Sequence, residues 1–132
     1  MAASQIGSEV LVIDDSSTIR RSAEIFLSQA GHPVILAVYG FAALSLIAER
    51  RPVLIFCDIQ MPRLDGFQTC ALIRASPASA HIPVVMLSSR DGLFDRARGL
   101  LAGATAYLTK PFTKDSLLRA VREHALAPQA AA

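Results

Sequence analysis

The residues best equipped for chemistry in this chain stand where short apolar blocks stop. Val10-Leu11-Val12-Ile13 runs into Asp14-Asp15, and Val53-Leu54-Ile55-Phe56-Cys57 runs into Asp58. Val84-Val85-Met86-Leu87 ends in Ser88-Ser89, and Ala106-Tyr107-Leu108 is followed closely by Lys110-Pro111. Taken singly, each has an ordinary explanation, since acids and serines cap helices and lysines populate surfaces. Gathered at one edge they demand more. Two unit charges ~4 Å apart repel by roughly 4 kcal/mol at an effective dielectric near 20, so three carboxylates together must protonate or hold a cation. Oxygen donors favour magnesium, with manganese as its substitute. A carboxylate beside such an ion is a competent nucleophile for forming an acyl phosphate. Phosphoryl transfer then needs positioning and charge neutralisation more than acid–base catalysis. Asp58, followed by Ile59-Gln60-Met61-Pro62, is the candidate nucleophile. Asp14 and Asp15 are candidates to hold the ion with it, and the Ser88 hydroxyl and Lys110 ammonium are candidate contacts to the phosphoryl oxygens.

Those groups meet only if the chain brings the block ends together, and its periodicity predicts that it does. Continuous apolar blocks of four or five residues are what strands buried on both faces look like, and Val34-Ile35-Leu36-Ala37-Val38 adds another. Stretches with helical period lie between them. Ile19, Ala23, Phe26, Leu27 and Ala30 share a face before Gly31, and Phe41, Leu44 and Ile47 repeat the pattern before Pro52. A third helix is expected from near Gly66 to Ser76-Pro77, turning Phe67, Cys70, Ala71 and Ile73 inward. A fourth is expected from about Asp91 to Leu101, stopping at Gly103, and a fifth from Thr113, burying Leu117, Leu118 and Val121. Strand and helix alternate five times, which argues for an α/β, doubly wound parallel sheet of five strands covered on both sides. Sites in such sheets form at the carboxyl ends of the strands, near the switch in strand order.

Bulk properties narrow the function. At 132 residues the chain suits one domain. Its apolar content is 52%, with a mean hydropathy of +0.41. No apolar run approaches the ~20 residues that span a bilayer, so no membrane insertion is expected. MAASQIGS lacks the pattern of a signal peptide, and two cysteines without metal-type spacing suit buried thiols in a reducing cytoplasm. Net charge is +2, and the pairs Arg20-Arg21 and Arg50-Arg51 are expected to be solvated helix surface, with no nucleic-acid partner. No glycine-rich phosphate loop follows any strand, which removes the main support for nucleotide binding.

The motifs DD at 14–15, DIQMPRLDG at 58–66, PVVMLSS at 83–89 and YLTKPF at 107–112 resemble those of response-regulator receiver domains, the CheY-like proteins of two-component phosphorelays. The resemblance covers roughly residues 8–125, leaving 1–7 and 126–132 as short flexible tails. It implies the flavodoxin-like strand order 2-1-3-4-5. It also implies that a histidine kinase phosphorylates Asp58. Magnesium would be ligated by Asp15, Asp58 and the main-chain carbonyl of Gln60, with Asp14 reaching it through water. Ser88 and Lys110 would contact the phosphoryl group. Tyr107 would turn inward as Ser88 moves, reshaping the surface of the fourth helix, fifth strand and fifth helix for a partner. Gln60 and Arg90 occupy positions that, by the same resemblance, govern phosphoryl lifetime. One departure is Tyr39-Gly40-Phe41-Ala42, where the family often has an acid or amide before the glycine and a glutamate after it.

A narrower similarity is carried by DDSSTIRR at 14–21, PRLDGFQTCALIR at 62–74 and MLSSRDGLFDRARG at 86–99. These stretches resemble stand-alone regulators of the chemosensory system controlling type IV pili and twitching motility. That implies a chemosensory kinase upstream and a protein of the pilus machinery downstream, engaged near Leu93, Phe94, Arg96 and Lys114. Only seven residues follow Ala125, so the expected output is protein binding, with no catalytic domain of its own. A flagellar-motor chemotaxis regulator is the nearest alternative. A magnesium-dependent aspartyl-phosphate phosphatase is disfavoured because Gln60 stands where such enzymes place a second acid. A scaffold without phosphorylation is disfavoured because no site residue is missing.

Overall fold

The computed structural model describes residues 6–89 and 93–127. Strands and helices alternate: β1 (Val10–Ile13), α1 (Ser17–Gln29), β2 (Val34–Ala37), α2 (Gly40–Arg50), β3 (Leu54–Asp58), α3 (Gly66–Ala75), β4 (Val84–Ser88), α4 (Leu93–Ala102), β5 (Ala106–Thr109) and α5 (Lys114–His124). All strand pairings are parallel, in the order β2-β1-β3-β4-β5, which is the expected fold.

Side chains alternate across the sheet as strand geometry requires. Leu11, Ile13, Ile55, Cys57, Val84 and Met86 face one way and pack with residues of α2 and α3. Val10, Val12, Leu54, Phe56, Val85 and Leu87 face the other, against Ala23 and Leu27 of α1 and Leu117, Ala120 and Val121 of α5. Every residue of β1, β3 and β4 is buried, and each large apolar side chain among them contributes about 1.5–3 kcal/mol. The edge strands β2 and β5 are mostly half-buried, because each has a sheet neighbour on one side only. The continuous apolar blocks therefore describe the interior strands better than the edges.

Several helix ends follow from local chemistry. The Ser16 hydroxyl accepts from the Ile19 amide at the start of α1. Asp65 with Gln68, and Thr113 with Ser116, form reciprocal caps on α3 and α5. Helix α4 begins at Leu93; the expected start at Asp91 lies outside the described residues.

Four expectations are corrected. Ala30 is exposed, because it caps the end of α1 and lies beyond its inward face. Phe41 is 58% exposed, because it lies on the outer side of the first turn of α2 while Ala43 and Ile47 face inward. Ala71 is exposed, since α3 packs through Phe67, Cys70 and Ile73. The arginine pairs are not uniformly solvated. Arg21 and Arg51 are exposed, but Arg50 pairs with buried Glu9 at 2.7 Å and Arg20 reaches the main-chain oxygen of Asp14 just past β1.

Candidate functional site

The carboxyl ends of β1, β3, β4 and β5 converge as the alternation predicted. Carboxylate oxygens of Asp14, Asp15 and Asp58 all lie within 4.8 Å of one another. Asp14 is fully buried and Asp58 is 3% exposed, whereas Asp15 is open to solvent. Lys110 joins them. Its ammonium donates to Asp58 Oδ1 at 2.9 Å and to Asp14 Oδ2 at 3.2 Å.

Strand register sets these positions. Ser88 pairs with Thr109, and the next amide, Lys110 N, donates to the Ser88 carbonyl at 2.6 Å. Buried Ser88, at the end of β4, and half-buried Lys110, just past β5, are thus delivered side by side. Asp58 is the last residue of β3, with Leu87 as its neighbour on β4. The Asp14 amide donates to Ala37 O, and the Ser16 amide donates to Asp14 Oδ1 at 2.9 Å. The Lys110–Pro111 peptide is cis.

The loop after Asp58 is closely seated. Gly66 N donates to Ile59 O at 2.8 Å, and a Cβ on Gly66 would overlap the Asp58 carbonyl oxygen and approach Ile59 Cα to 2.7 Å. Helix α2 abuts the same loop, since a Cβ on Gly40 would overlap the Thr69 hydroxyl and reach Leu64 at 3.0 Å. Thr69 in turn donates to Asp65 O. Gly40 therefore retains a packing role despite the atypical residues around it. Gln60 is exposed at the mouth of the site, and Arg90 lies outside the described residues.

Electrostatics agree with the geometry. Burial pushes the Asp58 carboxyl up to about 6; Lys110 opposes the shift through its hydrogen bond, and the charges of Asp14 and Asp15 reinforce it. Burial alone would lower Lys110, but its contacts with Asp58 and Asp14 outweigh that and hold the ammonium above its ordinary value. Among the described residues, the Lys110 ammonium pairs with two of the three carboxylates, so acids outnumber bases in this partly dry cluster. A hard divalent cation suits that donor set, and the residues present fit magnesium.

Tyr107 lies half-buried on β5, and the Arg96 guanidinium sits 5.1 Å from its ring centre. The two residues, with Gly99, Leu100, Ala104 and Ala106, line a cavity of about 190 Å³ between α4 and β5. Arg98 covers the Phe67 ring at 4.4 Å, joining α4 to α3. Neither contact was read from the sequence, because an arginine on a helical face does not identify the ring it will cover. Burial also pushes the Cys57 thiol well up and raises that of Cys70, which suits two buried thiols.

Comparison with known proteins agrees with this architecture. Residues 10–122 match the family described as the response regulator receiver domain. Protein PilG of Pseudomonas aeruginosa is 57% identical over 118 residues, covering 89% of this chain and 87% of PilG. The chemotaxis protein CheY4 of Vibrio cholerae superposes with a TM-score of 0.85 at 31% identity, covering 89% of this chain and 98% of CheY4. The receiver domain of the sensor histidine kinase PA1611 from Pseudomonas aeruginosa, solved with a magnesium ion in its active-site cleft, gives a TM-score of 0.82 at 30% identity. That match covers 89% of this chain and 97% of the neighbour. Among the described residues, no helix is long and apolar enough to cross a membrane. With the expected sheet order, the acidic cluster and the family match over most of its length, this chain belongs to the response regulator receiver domain family.

Proposed function

We propose that this protein is a phosphorylation-activated signalling switch whose acceptor is Asp58. The observation that carries the reading is the meeting of Asp14, Asp15, Asp58 and Lys110 at one sheet edge. An Asp58 carboxylate oxygen attacks the phosphorus of a phosphohistidine on a kinase. The new P–O bond replaces the P–N bond, and the imidazole leaves. Asp15, Asp58 and the Gln60 main-chain carbonyl would hold magnesium, or manganese in its place, with Asp14 reaching it through water. When bound, the ion neutralises phosphoryl oxygens. Lys110 and Ser88 contact the same oxygens, the lysine exchanging part of its carboxylate pairing for the new anion. Gln60 and Arg90 influence how fast the phosphoryl group is lost, Arg90 by pairing with its oxygens and obstructing the attacking water.

The residues from 8 to 125 form the signalling unit in this reading. Movement of Ser88 toward the phosphoryl group makes room for Tyr107 to turn inward. Withdrawal of that ring changes its contact with Arg96 and reshapes the surface of α4, β5 and α5. The output is binding of another protein in the cytoplasm, without an enzymatic product.

The 57% identity to PilG favours a chemosensory kinase upstream and a role in type IV pilus twitching motility. The lower identity to CheY4 gives less support to a flagellar-motor output. Phosphotransfer from a purified chemosensory histidine kinase, followed by radiolabel, tests the donor. Rapid transfer to the wild type and none to Asp58→Asn is expected; label retained by the variant overturns the acceptor assignment. Deleting the gene in its host should abolish twitching and leave swimming intact, and the reverse result would favour the flagellar reading.

A further inference from the structure

We propose that Arg20 is a positioning residue for the cation site, acting through the peptide that joins Asp14 to Asp15. The inference rests on the metal-binding reading above and assigns part of that site to a residue on a neighbouring helix. Arg20 lies one turn into α1, and its Nη1 donates to the main-chain oxygen of Asp14 at 2.8 Å.

The remaining polar groups of Asp14 are also engaged. Its amide donates to Ala37 O at 3.1 Å, its Oδ1 accepts from Ser16 N at 2.9 Å, and its Oδ2 accepts from Lys110 at 3.2 Å. Three of the four contacts hold the amide and carboxylate. Among the described residues, only Arg20 contacts the carbonyl, and it thereby holds the plane of the peptide leading into Asp15.

Asp15 is exposed, so the direction of its carboxylate depends on the backbone that carries it. One of its oxygens nonetheless lies within 4.8 Å of an oxygen of buried Asp14 and of buried Asp58. Holding an exposed carboxylate in register with two buried ones is the task the Arg20 contact performs. A guanidinium suits it because its donors are planar, rigidly arranged and always charged.

Electrostatics would argue the opposite effect, which makes the proposal testable by sign. A positive charge beside a cation site repels the cation, so removing it should tighten magnesium binding. Loss of positioning should weaken it. Neighbouring Arg21 supplies the control: it is exposed, lines a hollow with Ser17, Thr18 and Ser22, and carries the same charge one residue away.

The experiment is calorimetric titration of magnesium chloride into the wild type, Arg20→Met and Arg21→Met, with thermal unfolding in EDTA to confirm that each is folded. Arg20→Met should bind magnesium about two- to tenfold more weakly, the range expected for one hydrogen bond, and Arg21→Met as tightly as wild type or more so. Acetyl phosphate modification of Arg20→Met should return to near the wild-type rate at saturating magnesium. Arg20→Gln carries the same test if Arg20→Met does not fold. Unchanged or tighter binding by the folded Arg20 variant would overturn the proposal. A wild type that binds no magnesium would instead overturn the metal-binding reading on which it rests.

Discussion

Gly66 stands against Asp58 so closely that a methyl group on its Cα would overlap the Asp58 carbonyl oxygen. The first residue of α3 is therefore packed onto the backbone of the candidate nucleophile, and any larger side chain must displace one of them. Gly66→Ala should destabilise the fold by about 1–3 kcal/mol, the usual range for overpacking. It should also slow phosphorylation by shifting Asp58. Urea unfolding measures the first effect, and modification by acetyl phosphate the second. A variant with wild-type stability and rate would contradict the contact.

Asp58 sets a pH dependence whose sign follows from its surroundings. Its carboxyl lies at about 6 in the fold against an ordinary 3.8, so the folded chain binds that proton more tightly than the unfolded chain. Ionisation above about pH 6 therefore costs stability, and the cost disappears as the pH falls through 6 toward 4. In EDTA, the wild-type urea midpoint should rise relative to that of Asp58→Asn on going from pH 7.5 to 5.5. A constant difference between the two proteins would refute the assignment.

Cys57 and Cys70 are both buried, and burial raises both thiols. The reactive thiolate is thus doubly disfavoured. The native protein should react negligibly with Ellman's reagent over minutes, and both thiols should react in denaturant. Prompt reaction of either in the native state would contradict their placement.

Arg74 ties three segments together through its guanidinium. It donates to Gly103 O at 2.8 Å, Ala80 O at 3.2 Å, Ile82 O and the Thr105 hydroxyl at 3.3 Å. Arg74→Ala should cost about 1–3 kcal/mol, whereas exposed Arg122→Ala should stay within about 0.5 kcal/mol of wild type. Equal effects in denaturant unfolding would show that the tie contributes nothing.

The sheet and the core of the site were legible because they depend on local pattern. Apolar blocks ending in Asp14-Asp15, Asp58 and Ser88 disclosed both the strands and the edge where they terminate. Arg20 and Arg74 were not legible in the same way. Each acts by donating to main-chain carbonyls, which every residue possesses, so no residue type marks the partner. Glu9 and Arg50 pair across 41 positions for a similar reason: only the assembled sheet brings them together. Phe41 and Ala71 were misplaced because helical period identifies a shared face without fixing its edges.

Phosphorylation of Asp58 is tested by intact mass after incubation with magnesium and acetyl phosphate, alongside Asp58→Ala. One added phosphoryl group is expected on the wild type, dependent on magnesium and absent from the variant. No adduct on rapidly sampled wild type, or an equal adduct on Asp58→Ala, would contradict it.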